Sequence, residues 1–449
     1  MKKLITLTIL SFFSLSFVVN PACAILEKKT QNEQSILDYI NFDLWKKQND
    51  PYLEKYIASA INNNYDIKTT ALKIEQANIS VMATRVSQLP VVSFSASPFL
   101  TKIPRQTKTD GSIALPIVAQ YELDLFGKNY DKTKASKKLL QGAVYQAQAA
   151  DISIISNVAA TYYNIVKLDK LIEVQEKLTK DRKEIYNLMK ISNNEGISST
   201  SDLILAEKSY VLAQNDLIEL QKNRINVLNA MAVLIGDSPE NINEYERISY
   251  NELKSKIEVP SSISSEVVVN RPDYKSLEKQ LEAAGIDIRV AKKEFLPTIN
   301  ILGVLTFLAT SSLGSMDWKN AFSILGASAD LPIFTGFQRL ANLKINKNKY
   351  EQLLNQYQKT NLTSIQEIND SLYNLKSDNE KLVNNIKAYD IQNKDYKMSQ
   401  SKFKTGVISK LDLLQQKEAL LYMEQNVASS KMNCYIDRIS LYKATGAKI

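Results

Sequence analysis

The sequence predicts a mainly α-helical chain with a membrane β-barrel portion: a tandem repeat of long helices that forms an α-barrel, plus four β-strands per chain that close as a 12-stranded barrel in a trimer. Three observations predict it. The 69 residues from Phe337 to Thr405 contain neither glycine nor proline, so they read as one helix on the order of 100 Å long, far beyond the three or four turns of an ordinary globular helix. Two short regions near 92–125 and 299–330 switch to a period of two, as strands do. The order of elements then occurs twice at an offset of 210 residues, with Gly196 falling on Gly406, Ser199 on Ser409, Asp202 on Asp412 and Leu203 on Leu413.

The first residues set the compartment. Lys2 and Lys3 precede an apolar run from Leu4 to Val19 and the small residues Pro21-Ala22-Cys23-Ala24, the pattern of a secretory signal at 1–24 and too short for a stable membrane span. Cleavage after Ala24 uses Ala22 and Ala24. Cleavage before Cys23 would instead free that cysteine for lipid attachment, for which Asn20 and Pro21 are poor neighbours. Either exit leaves Cys434 with no intrachain disulfide partner. No other run approaches the roughly 20 apolar residues of a membrane helix, so a chain that crosses a bilayer must use strands.

Residues 25–49 are polar and aperiodic, ending in Phe42, Leu44 and Trp45, and predict an irregular arm. The first repeat is set at 50–235. Asp50-Pro51 opens its first helix, with aspartate at the cap and proline in the first turn, and Leu53, Ile57, Ile61, Ile67, Leu72 and Ile79 carry that helix to Leu89-Pro90. A first strand follows with Val92, Phe94 and Ala96 on one side. After a polar loop with Lys102, Arg105, Lys108 and Asp110-Gly111, a return strand sets Ile117, Ala119, Tyr121, Leu123 and Leu125 against Gln120, Glu122 and Asp124. That alternation suits a strand between lipid and water. Pro98 and Pro116 are expected to limit the regular parts, since proline cannot donate to a ladder. Tyr121 and Tyr130 flank the strand-to-helix junction, where an interfacial aromatic belt would lie.

A long helix then runs to about Asn193 and breaks at Asn194-Glu195-Gly196. The next helix repeats Leu203, Tyr210, Leu217 and Met231 by sevens, as well as Ala206, Ala213, Leu220, Val227 and Leu234. A connector occupies 236–271. The second repeat, 272–449, has a helix to Phe295, a strand with Ile299, Ile301, Leu305 and Phe307, a loop from Thr310 to Asn320 and a return strand from Phe322 to Asp330. The long helix follows, its seam being Ile368, Leu375, Leu382, Tyr389, Tyr396 and Phe403. After a break at Gly406 comes a last helix with Leu413, Leu420, Val427, Cys434 and Leu441 at heptad spacing. Cys434 on such a position is expected to pack rather than react.

Composition narrows the function. There is no histidine, which removes the commonest general base and metal ligand; neither catalysis nor a cofactor or metal is expected. The net charge of +8 is spread among acids along the chain, which is unlike a nucleic-acid groove. Four strands cannot close a barrel alone, because open edges are not tolerated in lipid and small barrels need eight strands. Three chains would supply twelve strands and twelve helical staves; two or four chains satisfy counting as well.

Several motifs carry a resemblance. Tyr121 to Gly127 (YELDLFG), Arg271-Pro272-Asp273, Phe295-Leu296-Pro297, Leu331-Pro332-Ile333-Phe334 and the stretch from Lys404-Thr405-Gly406 to Leu414 resemble the landmarks of the TolC-like outer-membrane efflux proteins, in particular the lipoprotein-type branch serving drug and metal pumps. The resemblance implies a homotrimer in outer-membrane lipid, with its helical tunnel in the periplasm, joined by a periplasmic adaptor protein and an inner-membrane pump. It implies a passive duct of a tripartite efflux system; drug export, metal export and a type I protein-secretion exit all stay open. The rival class is a non-conducting exported helical scaffold.

The turns at Gly196 and Gly406 would form the periplasmic tip. Ser199 with Asp202, and Ser409 with Asp412, have the spacing of a capping box, which satisfies free amides and opposes the helix dipole. By resemblance, Asp412 matches an aperture aspartate that three copies would bring to the pore axis, and Asp202 a residue that holds the tip closed through polar links. The chain departs from that pattern at Gln415, where a second acidic ring would stand, at Phe403 in place of a tip tyrosine, and at Ile408 in place of a linking base. Gly196, Ser199, Gly406, Ser409 and Lys404 are expected at the adaptor-contacting tip; Lys402, Lys404 and Lys410 also suit the helix ends as solvated charges.

Overall fold

The computed structural model describes residues 50–101, 110–240, 245–254, 258–310 and 321–447. The expected signal, Cys23, the 25–49 arm and most of both strand-joining loops lie outside the described residues.

Helices α1 (Pro51–Asn63) and α2 (Tyr65–Val86) replace the single opening helix that the apolar period predicts. The break is made by Asn64, which ends one helix and caps the next. Its backbone is extended (φ −59°, ψ 130°), and its side-chain oxygen accepts from the amides of Asp66 and Ile67. Asp50 caps α1 as expected, accepting from Tyr52 and Leu53.

Strands β1 (Val91–Phe94), β2 (Ser97–Thr101) and β3 (Asp110–Leu123) pair in one unbroken antiparallel register, Phe94 opposite Ile117 and Ser97 opposite Ala114. The prolines act differently from expectation. Pro98 and Pro116 both sit inside strands. Pro116 does not end β3; it interrupts the neighbouring strand instead. Its carbonyl accepts from Ser95 at 3.2 Å, but it has no amide to return, so the ladder lapses between β1 and β2.

Helix α3 (Lys128–Asn194) is 67 residues long, and α4 (Thr200–Ile235) returns beside it. A short helix α5 (Glu266–Asn270) precedes α6 (Pro272–Lys293), followed by strands β4 (Thr298–Thr310) and β5 (Ala321–Asp330). Helix α7 (Gln338–Lys404) again has 67 residues, and α8 (Lys410–Ala444) closes the chain. Helices α3 and α7 therefore start and stop at positions exactly 210 residues apart. The residue before each has a left-handed backbone, Gly127 in one case and Phe337 in the other.

The sheet runs β1/β2, β3, β4, β5. The β3–β4 register sets Tyr121 opposite Ile301 and Leu123 opposite Ile299, with Glu122 opposite Asn300 on the other face. That second face continues through Ser328, paired with Asn300, and Asp330, which accepts from the Asn300 amide at 3.1 Å. The apolar and polar faces expected of the first return strand thus extend across both halves. The outer edges of β1/β2 and β5 have no partner among the described residues.

In the helical body α3 packs on α2, α4, α6 and α8, and α7 packs on α6 and α8. Four staves result: α2 with α4 end to end, α3, α6 with α8 end to end, and α7. The main core lies at mid-height, where α1, the segment 245–254 and the middles of α3 and α7 meet the ends of α4 and α8. Tyr162 joins these parts, donating to Asp50 Oδ1 at 3.0 Å and accepting from the Ile248 amide at 2.9 Å. Arg271 of the Arg-Pro-Asp motif fixes the start of α6 to α7 and α8 through Glu367 at 2.7 Å and the Ala444 carbonyl at 2.8 Å.

Both lateral edges carry uncovered apolar residues. Tyr65, Leu72, Ile79 and Val86 on α2, and Ile204, Val211, Ile218 and Ile225 on α4, are spaced by sevens and between 39% and 73% exposed. On α7, Leu362, Tyr373, Ile391 and Met398 are exposed and share one side at about 100° per residue, opposite the buried seam of Ile368, Leu375 and Leu382.

Candidate functional site

The far ends of the long helices form two hairpin turns. Gly196 (φ +70°) and Gly406 (φ +74°) take the left-handed conformation, and a Cβ at either would meet nothing within 4 Å; the glycines serve backbone shape rather than close packing. In each turn the amide after the glycine reaches five residues back, Ile197 to Ser192 and Val407 to Lys402, both at 2.8 Å.

The capping boxes are complete in both turns. Ser199 Oγ donates to Asp202 Oδ2 at 2.7 Å and accepts from the Asp202 amide at 3.1 Å. Ser409 and Asp412 repeat those distances, and the Ser409 amide also donates to Asp412 Oδ2 at 2.9 Å. The hydroxyl and amide of Ser409 hold the Asp412 carboxyl below the usual carboxylate range. Both aspartates are exposed, so one oxygen caps while the other is open to water.

The turns differ where the repeat differs. Asn193 donates to the Ser198 carbonyl at 3.0 Å. The corresponding residues of the second turn are Phe403 and Ile408, which cannot form that bond. Phe403 instead lies under Lys410, whose Nζ is 5.8 Å from the ring centroid and 3.3 Å from Glu184 of α3. Asp202, Ser199 and Gln415 line one groove of about 500 Å³ between α3, α4 and α8, with Arg182 and Glu418 at its upper end. Asp412 does not line that groove, so the two tip aspartates are separated. Lys402 and Lys404 stand exposed in the last turn of α7.

A belt of polar links above the tip escaped the sequence reading. Arg182 of α3 reaches Glu418 of α8 at 2.9 Å, the Ser209 carbonyl of α4 at 3.1 Å, and the Tyr422 hydroxyl. Lys417 Nζ is 2.7 Å from Asp181, whose side chain is 3% exposed. These residues are ordinary solvated charges in the sequence; only the close approach of α3 and α8 makes them partners. Cys434 is fully buried, as its heptad position predicts, and burial pushes its thiol up to about 12, which removes thiolate chemistry. No group of residues suited to a metal ion occurs among the described residues, and no helix among them is long and apolar enough to cross a membrane.

The profile of the family described as outer membrane efflux protein matches residues 56–237 and 263–447. The chain belongs to that family. Outer membrane efflux proteins similar to it include the probable efflux pump outer membrane protein TtgC of Pseudomonas putida, 25% identical over 88% of this chain and 83% of the relative. The cation efflux system protein CusC of Escherichia coli is 23% identical, over 88% of this chain and 87% of its own length. Among solved structures, the Campylobacter jejuni CmeC outer membrane channel matches with a TM-score of 0.83 at 24% identity, covering 91% of this chain and 88% of CmeC. The open state of the Neisseria gonorrhoeae MtrE outer membrane channel matches at 0.78 and 24%, covering 88% and 89%. As a member of the outer membrane efflux proteins the chain is an efflux channel of the outer membrane, with its helical body in the periplasm. The expected fold class is the observed one, a helical body surmounted by a small sheet.

Proposed function

We propose that three copies of this outer membrane efflux protein assemble into a passive duct, without catalysis or cofactor, through which a pump expels small molecules. The observation that carries this reading is the pair of open edges. A sheet that ends at β1/β2 and β5 is not tolerated in lipid, whereas β5 of one copy against β1/β2 of the next extends the ladder, and three copies give twelve strands. The helical edges support the same closure. The stripe on α2 and α4 would meet the exposed side of α7 in the neighbouring copy, each side chain contributing on the order of 1 kcal/mol as it leaves water.

The tip is the proposed gate. Three copies would bring three Asp412 carboxylates around the axis, favouring cations and narrowing the pore, while Asp202 and Gln415 stay in the groove beside α3. Phe403 lacks the hydroxyl and Ile408 the charge that would bond one copy to the next, so in this chain Arg182–Glu418, Lys417–Asp181 and Lys410–Glu184 hold the turns instead. The exposed turns at Gly196, Ser199, Gly406, Ser409 and Lys404 are the surface offered to a periplasmic adaptor, which would link the duct to an inner-membrane pump and spread the tip on binding.

Single-channel recording in planar bilayers tests the proposal. The purified assembly should conduct weakly with cation preference, and replacing Asp412 by asparagine should raise conductance and reduce that preference. An assembly that conducts nothing even with Asp202 and Asp412 both replaced would overturn the duct reading.

A further inference from the structure

The first turns of α3 and α7, directly beneath the sheet, hold an unusual share of the positive charge. Residues 128–138 contain five lysines against one aspartate, and residues 338–350 contain Arg339, Lys344, Lys347 and Lys349 with no acid. Their combined excess equals the net +8 of the whole chain. Several of these charges are neutralised locally: Lys128 meets Glu122 at 2.6 Å and Lys138 meets Glu282 at 2.5 Å. Lys134, Lys137, Lys344 and Lys347 are exposed, and none of the four forms an ion pair among the described residues.

These four occupy matched places. Lys134 and Lys344 are 210 residues apart, as are Lys137 and Lys347, the offset that also relates the ends of α3 and α7. On α3, Asn129 and Thr133 face the end of α2: Thr133 donates to the Thr84 carbonyl, and Gln88, just beyond that helix, donates to the Asn129 carbonyl and the Thr133 hydroxyl. Asp131 and Ala135 face α6 through Lys293 and the Ile286–Val290 cluster. At about 100° per residue, Tyr130, Lys134 and Lys137 share one of the two remaining sides, and Lys128 lies towards the other. Lys128 is held by Glu122, which alternates with the apolar Tyr121 and Leu123 and so belongs to the lumenal face of the sheet. The side with Tyr130, Lys134 and Lys137 is therefore the outer one, and Leu340, Lys344 and Lys347 repeat it on α7. Lys134 is about 9 Å along the axis from the first residue of α3, within lysine reach of a bilayer surface that ends at the sheet.

We propose that this outward lysine collar binds the head groups of anionic phospholipids in the periplasmic leaflet of the outer membrane. The charge is of the right sign, and it continues the lipid-facing surface of the strands. Basic side chains placed within a Debye length of an anionic leaflet are attracted to it. The proposal takes from the duct reading the position of the sheet in the bilayer and the assignment of its polar face to the lumen. The collar would fix how deeply the assembly sits.

The test uses the full chain reconstituted in phosphatidylcholine vesicles with trace spin-labelled phosphatidylglycerol or spin-labelled phosphatidylcholine. Electron paramagnetic resonance reads the fraction of each lipid immobilised at the protein, and conductance of the same sample reports the duct separately. The wild type should immobilise phosphatidylglycerol at least about threefold more strongly than phosphatidylcholine, less so as salt is raised. Joint replacement of Lys134, Lys137, Lys344 and Lys347 by glutamine should bring the ratio close to one. Replacement of the same four by arginine should keep it, and glutamine at Lys208, Lys222, Lys359 and Lys387 should leave it unchanged. Equal immobilisation of the two lipids by the wild type, as expected if the collar instead meets an acidic protein, would overturn the proposal. So would a wild-type ratio in the collar glutamine variant, or loss of the ratio in the arginine variant.

Discussion

The side-chain amide of Asn64 donates to the carbonyl of Leu234 at 2.8 Å, so the opening helical segment breaks where α4 ends. The crossing is close. A Cβ on Gly236 would come within 2.6 Å of the Asn63 carbonyl oxygen, and Gly236 has φ +72°. Gly196 has almost the same φ but open space around it. Gly196→Ala is expected to cost about 1 kcal/mol, the penalty of a left-handed alanine, and Gly236→Ala two or more times that, because backbone must shift as well. Thermal unfolding followed by helical circular dichroism compares the two; equal losses would mean that the crossing tolerates a methyl group.

Removing Lys417 should loosen the tip. Lys417→Ala leaves the buried Asp181 carboxylate without its cation, and its Oδ2 already lacks a hydrogen-bond partner. A fully buried broken pair costs about 3–5 kcal/mol; with the lysine about one-third exposed, a loss of about 2 kcal/mol is expected. The same variant should open more often in single-channel records. The double variant Lys417→Ala with Asp181→Ala should recover part of the lost stability.

Acidity should stabilise the helical body through a different pair. Burial, followed by the charge of Asp378 on α7, pushes Asp437 of α8 up to about 6. Lys381 of α7 opposes that shift, and the charge of Asp378 is also felt by Lys167 of α3. The folded pKa lies above the unfolded one, so between about 4 and 6 the folded chain keeps a proton that the unfolded chain releases. Stability therefore falls as pH rises through that window and stays at the lower level above it. Asp437→Asn should flatten the profile and raise the unfolding temperature at neutral pH. An unchanged slope would show that Asp437 titrates normally.

The apolar stripe on α4 should be required for assembly and dispensable for the helix. Val211→Lys with Ile218→Glu places charges at positions that are 47% and 61% exposed among the described residues of a single chain. The chain should keep its helicity and lose its oligomer, as read by light scattering in detergent. Retention of the wild-type mass would direct attention to the strand edges alone.

Much of the architecture was legible in the sequence because it rests on local signals. The absence of glycine and proline between Phe337 and Thr405 predicted α7 nearly to the residue. Gly196 and Gly406 marked the tip turns, and the Ser-x-x-Asp spacing predicted both capping boxes. The period of two in Ile117 to Leu123 gave the return strand and its two faces. Four further features were decided by tertiary structure. The break at Asn64 depends on an acceptor 170 residues away. Pro116 splits a strand other than its own. Arg182 and Lys417 acquire partners because α3 and α8 lie side by side. Tyr65, Leu72, Ile79 and Val86 carry the same heptad signal as a core seam, yet in the folded chain they face outward. A seven-residue period reports that a helix has an apolar side; what covers that side is set by which elements pack against it.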